Sequence, residues 1–404
     1  MLTETSFAPP SAETANAAAR DRLRRLRASL KKHELAAVLL FDSINLRYAC
    51  NSRNMQVNTA RNPGRYVFVP AEGPVVLFEY YGCGHLSAGL DTVHEVRPAH
   101  ALHPLYSETK YQTHLKNFAH EIVALLKAHG NGNMRLGIDR PTTEMVGALQ
   151  ALAVEVSDAE VPLDKARAIK SPNELELIRA SVRCTEAAVS EMERYIEPGR
   201  SENEVWSKMH QKLIEGGGEY IETRLFNSGS HTNPWFQETS DKPLREGELV
   251  ALDTDAIGCF GYYTDFSRTF LCGDVTPTAE QRKIYGYAYE MLEHNIALLG
   301  AGVGFREFAE KSWPIPEAYI PNRYMVLAHG NGMAGEWPLI RHMVDWDEIG
   351  EDGVLEPNMT ICVEAFIGHE KGGEGVKLEE QVLIKEDGIE RLSTYGYEPR
   401  LMPI

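Results

Sequence analysis

The chain has 404 residues, of which 43% are hydrophobic and 25% charged, and its formal net charge is −17 at pH 7. This length predicts two or more domains, and the composition is typical of a globular protein with a sizeable core. The negative charge argues against nucleic acid and anionic membranes as partners. No apolar run approaches the roughly 20 residues that span a bilayer.

The start of the chain and the cysteines both bear on the compartment. The first 32 residues lack the apolar core and the small-residue cleavage site of a secretory signal. The cysteines are scattered and form no CxxC pair; they are Cys50, Cys83, Cys184, Cys259, Cys272 and Cys362. A reduced, cytoplasmic protein is therefore expected.

The first half of the chain alternates helical and strand patterns. Helices are predicted over residues 15–33, 113–129 and 142–153, the first of them basic and amphipathic. Short apolar runs typical of buried strands are "AAVLLFD", "RYVFVP", "VVLFEY" and "RLGID". The alternation predicts a mixed α/β domain, which we place at residues 1–162.

A different pattern begins after residue 162, and we predict a second domain over residues 163–404. Ser171 is a candidate N-cap, with Pro172 at the first helical position and Glu174 three residues after the cap, so a long helix should follow. A second helix begins at Ser201 and ends at a run of three glycines. Further predictions are strands and turns over 222–273, a helix over 277–299, and strands and loops over 323–396.

Three aspartates stand close together in "LVALDTDAIGCFGYYTDFSRTF", residues 249–270. Asp253 and Asp255 are two positions apart, which on a strand places both side chains on one face. The glycines that follow suit a turn, so that Asp265 would lie across a hairpin from the first two. Crowded carboxylates repel one another unless they are protonated or share a cation, and hard metal ions are the usual partners of oxygen clusters.

Three more metal ligands are predicted later in the chain. His329 lies in "VLAHGNGM", Glu364 in "MTICVEAFI" and Glu379 in "VKLEEQVLI". Each signal alone is weak, because a turn aspartate is more often a hydrogen-bond acceptor and a histidine beside glycines is often structural. A glutamate within a buried strand, however, rarely lacks a partner. Together with the aspartates, these residues predict a dinuclear metal site.

The order Asp, Asp, His, Glu, Glu resembles the pita-bread family of methionine aminopeptidases, prolidases, aminopeptidase P and creatinase. The segments "TDFSRTF", "HGNG", "CVEAFI" and "LEEQVLI" are similar to that family's motifs, within residues 166–404. The resemblance implies an α/β (α+β) protein. In it, a small N-terminal mixed α/β domain precedes a C-terminal pita-bread domain with a curved antiparallel sheet.

The same resemblance implies how two metal ions would be shared. Asp265 and Glu379 would bridge the ions, Asp253 would bind one of them, and His329 and Glu364 would bind the other. The spacing from Asp253 to Asp265 is longer than the spacing between the two aspartates of the peptidases, and the spacing from Asp255 to Asp265 is shorter. Either aspartate or both could therefore be ligands, and we predict both.

Two histidines that handle the substrate in the peptidases have no counterpart here. In "HTNPWFQ", Trp235 and Phe236 stand about where the first is expected, with His231 nearby, and "HGNGMAGEW" lacks the second. Loss of both groups predicts weak peptide hydrolysis, since one acid/base group contributes roughly 10²–10⁴-fold.

A narrower resemblance spans nearly the whole chain. The segments "LLFDSINLRYA", "RAIKSPNEL", "GGEYIETRL", "TNPWFQE" and "KLEEQVLI" are similar to the DddP family of dimethylsulfoniopropionate lyases. This implies β-elimination of a C–S bond to dimethyl sulfide and acrylate, at a centre usually assigned to iron. Manganese, zinc and cobalt also suit a set of oxygen ligands with one nitrogen.

The substrate is expected to be a small molecule with a carboxylate, and a sulfonium would suit an aromatic surface through a cation–π contact. Residues that could bind it are Trp235, Phe236, Trp337 and His231, with Tyr324 as a further aromatic candidate. Core packing explains each aromatic residue about equally well.

The catalytic base is the weakest part of the lyase resemblance. The lyases carry an aspartate, their proposed base, where this chain has Gly335. Tyr324 and Glu336 are the remaining catalytic candidates. Asn58 and Gly64 also replace large aromatic residues of the lyases.

Two other functions compete with the lyase. The first is a hydrolase of the Xaa-Pro peptidase or creatinase type, acting on a small amide or amidine. The second is a non-catalytic binding module, against which the complete ligand set argues. The pita-bread resemblance also implies a homodimer.

Overall fold

The structure is a computed structural model that describes residues 10–62 and 64–403. These residues form two compact units, residues 11–167 and the part of the chain from residue 168 onward. Both units combine helices with sheets, which confirms the predicted mixed α/β class. No helix in the described part of the chain is both long enough and apolar enough to cross a membrane.

The N-terminal unit is built on a six-stranded sheet with the order β4-β3-β2-β1-β5-β6. Its strands are β1 (Ala37–Leu40), β2 (Tyr66–Pro70), β3 (Val76–Glu79), β4 (Glu95–Pro98), β5 (Arg135–Ile138) and β6 (Glu155–Asp158). Strand β1 is antiparallel to β2 and parallel to β5. The apolar runs in the sequence became β1, β2, β3 and β5, whereas the largely exposed edge strands β4 and β6 carry no such run.

The helices of this unit are α1 (Ala12–Lys32), α2 (Ser43–Cys50), α3 (Gln56–Arg61), α4 (Pro104–Ser107), α5 (Tyr111–His129), α6 (Thr143–Gln150) and α7 (Glu160–Arg167). The three predicted helices correspond to α1, α5 and α6. Ser11 begins α1 by accepting a hydrogen bond from the backbone N–H of Thr14. Helix α5 packs apolar residues such as Phe118 and Ile122 into the core with the strands.

The C-terminal unit has the helices α8 (Pro172–Glu193), α9 (Glu202–Glu215), α10 (Ala279–Ala297), α11 (Phe305–Lys311) and α12 (Trp346–Ile349). The N-terminus predicted for α8 is confirmed, because Ser171 and Glu174 form a capping box with Pro172 in the first turn. Ser201 likewise caps α9, and Gly216 stands at its end.

The strands of this unit are β7 (Tyr220–Ile221), β8 (Phe226–Ser228), β9 (Leu249–Asp253), β10 (Ala256–Ile257), β11 (Tyr263–Thr264), β12 (Ser267–Leu271), β13 (Val326–Asn331), β14 (Gly335–Arg341), β15 (Thr360–Gly368), β16 (Gly375–Lys385) and β17 (Gly388–Arg391). The largest sheet has the order β14-β13-β15-β16-β17, and every neighbouring pair in it is antiparallel. The smaller sheets are β12-β9-β8 and β11-β10-β7.

The predicted aspartate hairpin is confirmed. Strand β9 pairs with β12 so that Asp253 lies opposite Ser267, and β10 pairs with β11 so that Ala256 lies opposite Thr264. Helix α10 and the sheet strands β13, β15 and β16 supply buried apolar side chains to one core cluster. Leu249 of β9 and Leu271 of β12 belong to the same cluster, so the hairpin and the large sheet share one core.

Candidate metal centre

The large antiparallel sheet brings three predicted ligands to one face. The register places Glu364 of β15 opposite Glu379 of β16, and His329 of β13 opposite Cys362. Cys362 and Glu364 are two residues apart and so share a face of β15, which is therefore also the face of His329 and Glu379. All of these side chains are buried.

His329 is the point on which the carboxylates converge. Its Nε2 atom lies 3.5 Å from Asp265 Oδ2, 3.4 Å from Glu364 Oε1 and 3.6 Å from Glu379 Oε1. The other ring nitrogen, Nδ1, lies 2.9 Å from the Gly330 carbonyl oxygen, which can only accept a hydrogen bond. Nδ1 therefore carries a proton, and Nε2 is oriented towards the acids as in a metal-binding histidine.

The three aspartates also converge, although not through regular strand alternation. Carboxylate oxygens of Asp253, Asp255 and Asp265 lie within 4.8 Å of one another. Strand β9 ends at Asp253, and Asp255 lies outside the strands with a left-handed φ of 38°. A residue other than glycine in this conformation is strained, and such strain is common at functional sites.

Hydroxyl groups hold the first two aspartates in place. Both oxygens of Asp255 accept hydrogen bonds, one from Thr223 and one from Tyr263. Asp253 Oδ1 accepts from the Ser267 hydroxyl at 2.7 Å. Sequence reasoning missed these three donors, because they lie on separate strands and loops whose approach is tertiary.

Sequence reasoning also missed Lys377, which lies inside the cluster. Its Nζ atom is 2.6 Å from Glu364 Oε2, 3.1 Å from Asp253 Oδ2 and 3.1 Å from Glu379 Oε2. The lysine side chain is completely buried. A signal was present in the sequence, since Lys377 is two residues before Glu379 in an apolar strand and therefore shares its face.

Cys362 is a second residue that the sequence reasoning did not select. Its Sγ atom lies within 4.8 Å of ligand atoms of Asp265, His329 and Glu379. It also lies 3.4 Å from the side-chain nitrogen of Asn331, which can donate to it.

The electrostatics of the cluster show an excess of negative charge. Burial, reinforced by Glu379, Asp255 and Asp253, raises the pKa of Asp265 well above its ordinary value. Burial and the neighbouring Asp253 raise the pKa of Asp255 to about 7. Burial opposes the charged form of Lys377, yet the surrounding carboxylates raise its pKa further. Carboxylates that hold protons in this way are those that a cation would stabilise.

Unsatisfied oxygens show that the residues fit metal ions. Asp265 Oδ1 and Glu379 Oε1 are buried and have no hydrogen-bond partner among the described residues. An orphaned buried carboxylate oxygen is costly unless something positive meets it. A set of carboxylates with one imidazole matches the ligand preference of iron, manganese, cobalt or zinc.

Aromatic side chains line one side of the cluster. The Lys377 Nζ atom lies 5.0 Å from the ring centre of Tyr324 and 5.7 Å from that of Trp235. The ring of Phe236 lies 5.3 Å from that of Tyr324 and is 57% exposed, with a left-handed φ of 71°. We call Trp235, Phe236 and Tyr324 the aromatic wall. The buried Nε1 atom of Trp235 has no hydrogen-bond partner among the described residues.

Three predicted site residues lie elsewhere. Trp337 packs on Phe305, with 5.5 Å between ring centres, and its Nε1 atom lies 3.2 Å from the carboxylate of Glu351. The ring of His231 lies 3.6 Å from the buried Glu202 carboxylate. Trp337 thus contacts Phe305 and Glu351, and His231 lies beside Glu202.

Glu336 is the third of these residues. Its carboxylate lies 3.1 Å from Lys170 Nζ and accepts the backbone N–H of Met333 at 2.9 Å. The preceding residue, Gly335, lies beside the predicted metal ligand His329. A Cβ atom built on it would be 4.0 Å from His329 Nδ1. A side chain at position 335, rather than the one at 336, would approach the histidine.

The chain can now be placed among known proteins. Residues 176–386, just over half of the chain, match the metallopeptidase family M24. The chain belongs to this family. Residues 22–169 match the creatinase/prolidase N-terminal domain. The chain therefore carries this domain in front of its M24 domain, as in the prolidase branch. The pita-bread resemblance is thereby confirmed.

Similar proteins cover nearly all of this M24 chain. It is 37% identical over 386 residues to the dimethylsulfoniopropionate lyase DddP of Roseovarius nubinhibens, covering 94% of this chain and 86% of the relative. It is 35% identical over 390 residues to the DddP lyase of Roseobacter denitrificans, covering 95% and 87%. The Xaa-Pro dipeptidase of Bacillus anthracis shares its fold, with a TM-score of 0.74 at 21% identity, covering 94% of this chain and 99% of the dipeptidase.

Membership of M24 confirms two expectations. The chain is an enzyme of a family of dinuclear metalloenzymes, and its acidic residues and histidine cluster as metal ligands do. The likeness to the dipeptidase confirms the predicted prolidase-type fold.

Proposed function

We propose that this M24 enzyme is a metal-dependent lyase that cleaves the C–S bond of dimethylsulfoniopropionate. The observation that carries the proposal is the aromatic wall beside a buried carboxylate cluster. It places a surface for a sulfonium next to residues that would hold metal ions. The similarity to two DddP lyases over nearly the whole chain supports the same reaction.

Six residues would hold two metal ions: Asp253, Asp255, Asp265, His329, Glu364 and Glu379. Iron is the first expectation, with manganese, zinc or cobalt as alternatives that the ligand atoms also suit. The chemistry that such ions supply is to polarise a bound carboxylate and so acidify the carbon beside it. Asp265 and Glu379 would contribute to holding the ions through their buried oxygens, Oδ1 and Oε1, which have no hydrogen bonds within the described residues.

The aromatic wall would bind the cationic end of the substrate. A sulfonium placed over an aromatic face is stabilised by about 0.5–2 kcal/mol, the larger value applying when water is excluded. Phe236 is largely exposed and Tyr324 is half-buried, so a ligand can reach their rings. The Trp235 indole N–H, which has no partner among the described residues, is a donor for a substrate oxygen.

The reaction removes one proton and one leaving group. A base takes the proton from the carbon next to the carboxylate, the C–H electron pair forms the new double bond, and the C–S bond breaks. The sulfur leaves with that bond's electron pair as neutral dimethyl sulfide, and acrylate remains. Tyr324 is our candidate for proton handling, because its ring lies 5.0 Å from Lys377 Nζ within the cluster. Glu336 remains a weaker candidate, since Lys170 and Met333 contact its carboxylate.

A headspace assay tests this function. The metal-loaded enzyme is incubated with dimethylsulfoniopropionate, and dimethyl sulfide is measured by gas chromatography, with Asp265→Ala as the control. We expect product from the wild type and none above background from the variant. Equal signals from the two proteins would overturn the lyase. Dipeptides with proline in second place form a parallel panel, and turnover there would favour the Xaa-Pro hydrolase.

The base can be tested separately at Gly335. The variant Gly335→Asp places a carboxylate beside His329, where the DddP lyases carry their proposed base. We expect faster elimination if that position accepts a proton in this chain. A rate unchanged or lowered, with metal content preserved, would favour Tyr324 instead.

We further propose a cytoplasmic homodimer that binds no nucleic acid. Sedimentation equilibrium at micromolar concentration should give twice the chain mass of 45.2 kDa. A mass equal to one chain would contradict the dimer.

A further inference from the structure

Lys377 differs from the ordinary partners of buried carboxylates because it contacts several predicted metal ligands at once. Its Nζ atom lies within 3.1 Å of oxygens of Asp253, Glu364 and Glu379. The Ser267 oxygen lies 2.7 Å from Asp253 Oδ1 and 2.8 Å from Glu379 Oε2, so its single proton is donated to one of them at a time. The same oxygen accepts from Lys377 Nζ at 2.7 Å, which fixes the position of the amine. The lysine therefore neutralises part of the cluster by itself.

The two sides of the cluster differ in how their oxygens are used. On the Asp253 side, Ser267 and Lys377 engage one oxygen each of Asp253. Hydroxyl donors engage both oxygens of Asp255. On the His329 side, Asp265 Oδ1 and Glu379 Oε1 have no hydrogen bonds within the described part of the chain. Lys377 Nζ also lies 2.6 Å from Glu364 Oε2, so the lysine reaches both sides, but only on the Asp253 side does a donor engage every oxygen of the aspartates.

We propose that Lys377 is a resident cation of the metal centre that competes with a metal ion for Asp253. Two positive charges held a few ångströms apart in a buried site repel each other strongly, so a lysine among the ligands weakens the binding of a nearby ion. The ion on the Asp253 and Asp255 side is therefore the weaker of the two. This inference rests on the proposed metal centre, though not on the lyase reaction.

Manganese titration of the chelator-stripped enzyme tests the competition. We compare the wild type with Lys377→Met, which keeps much of the side-chain length and removes the charge, and with Lys377→Arg, which keeps the charge. In Lys377→Met we expect the weaker Mn²⁺ ion to bind at least about tenfold more tightly, because its competitor is gone. We also expect a larger rise in Tm on metal loading, while Lys377→Arg stays near the wild type.

Lys170→Met is the matched control. Lys170 is also buried and forms an ion pair with Glu336, a residue that is not among the predicted ligands. The control should lower the Tm of the metal-free protein and leave both manganese affinities unchanged. Parallel changes in the two variants would mean a general loss of stability and would overturn the proposal.

Other results have distinct meanings. Unchanged or weaker binding of both ions in Lys377→Met, while the wild type binds two, overturns the role of Lys377 alone. A wild type that binds no manganese overturns the metal centre and this inference together. If Lys377→Met folds only with metal, the rate of metal loss to a chelator replaces the titration. Slower loss than from the wild type supports the competition, and equal or faster loss contradicts it.

Discussion

Two neighbouring glutamates on strand β16 have opposite surroundings. Glu379 faces the carboxylate cluster, with one oxygen near Lys377 and the other without a hydrogen bond in the described structure. Glu380 points to the other face, where Arg268 lies 2.6 Å away and the hydroxyls of Ser393 and Tyr397 donate to it. Both carboxylates are buried, at 0% and 2% exposure.

The comparison separates a buried charge that stabilises the fold from one that serves a ligand. The Glu380 carboxylate has an arginine and two hydroxyl donors, so burial leaves it fully compensated. The Glu379 carboxylate shares its lysine with Asp253 and Glu364, so the cluster has more negative than positive charge. Unmatched buried charge of this kind is typical of functional sites rather than of stable cores.

Replacing Glu379 should have the largest effect on activity. We expect Glu379→Gln to lower kcat/KM by more than about 100-fold, because the loss of residues that merely orient metal ligands already costs 10–100-fold. Metal content by elemental analysis should fall in parallel. A variant with full metal content and wild-type turnover would contradict the assignment of Glu379 as a ligand.

Replacing Glu380 should instead affect stability. We expect Glu380→Gln to lower the free energy of unfolding by about 3–5 kcal/mol, because it leaves Arg268 as a buried charge without its partner. Chemical denaturation of the metal-free protein measures this loss. Metal content in the folded variant should remain that of the wild type, and a selective loss of metal would remove the distinction between the two faces.

The carboxylate cluster should also make the stability of the metal-free protein depend on pH. The pKa of Asp255 is raised from 3.8 to about 7, so the folded state holds this proton more tightly than the unfolded state. The resulting stability is complete below about pH 4 and is lost as the pH rises to about 7. In the presence of a chelator, the Tm of the wild type should therefore fall relative to that of Asp255→Asn as the pH rises from about 4 to about 7. A constant difference would contradict the raised pKa.

The same shift predicts that metal binding strengthens as the pH rises towards 7, because an ion displaces the Asp255 proton. Calorimetry in buffers of different ionisation enthalpy measures the protons released. Release that does not fall between pH 6 and pH 8 would indicate that Asp255 is already ionised.

The aromatic wall should give the smallest effect. We expect Phe236→Ala to raise KM for the sulfonium substrate by about 2–30-fold, equivalent to about 0.5–2 kcal/mol of cation–π interaction. Because Phe236 is 57% exposed, its removal should leave the Tm nearly unchanged. Trp337→Phe is the control, since Trp337 packs on Phe305 and should not affect KM. An equal KM in the wild type and Phe236→Ala would exclude the wall as the sulfonium site.

The sequence alone determined the elements and most of the ligand candidates. Apolar runs and capping residues predicted the central strands and the long helices, because burial and local hydrogen bonding act over a few residues. Carboxylates within apolar strands, together with family motifs, indicated Asp265, His329 and Glu379. The structure brings these three together around His329 Nε2.

Only the tertiary structure decided which polar residues share the centre. Glu379 and Glu380 are adjacent and chemically identical, and the register of β15 with β16 assigns them to different faces. Trp337 and Glu336 matched the motifs as well as Trp235 did, yet Trp337 packs on Phe305 and Glu336 pairs with Lys170. Lys377 joins the cluster because a side chain's partners depend on strands distant in sequence, which local patterns do not specify.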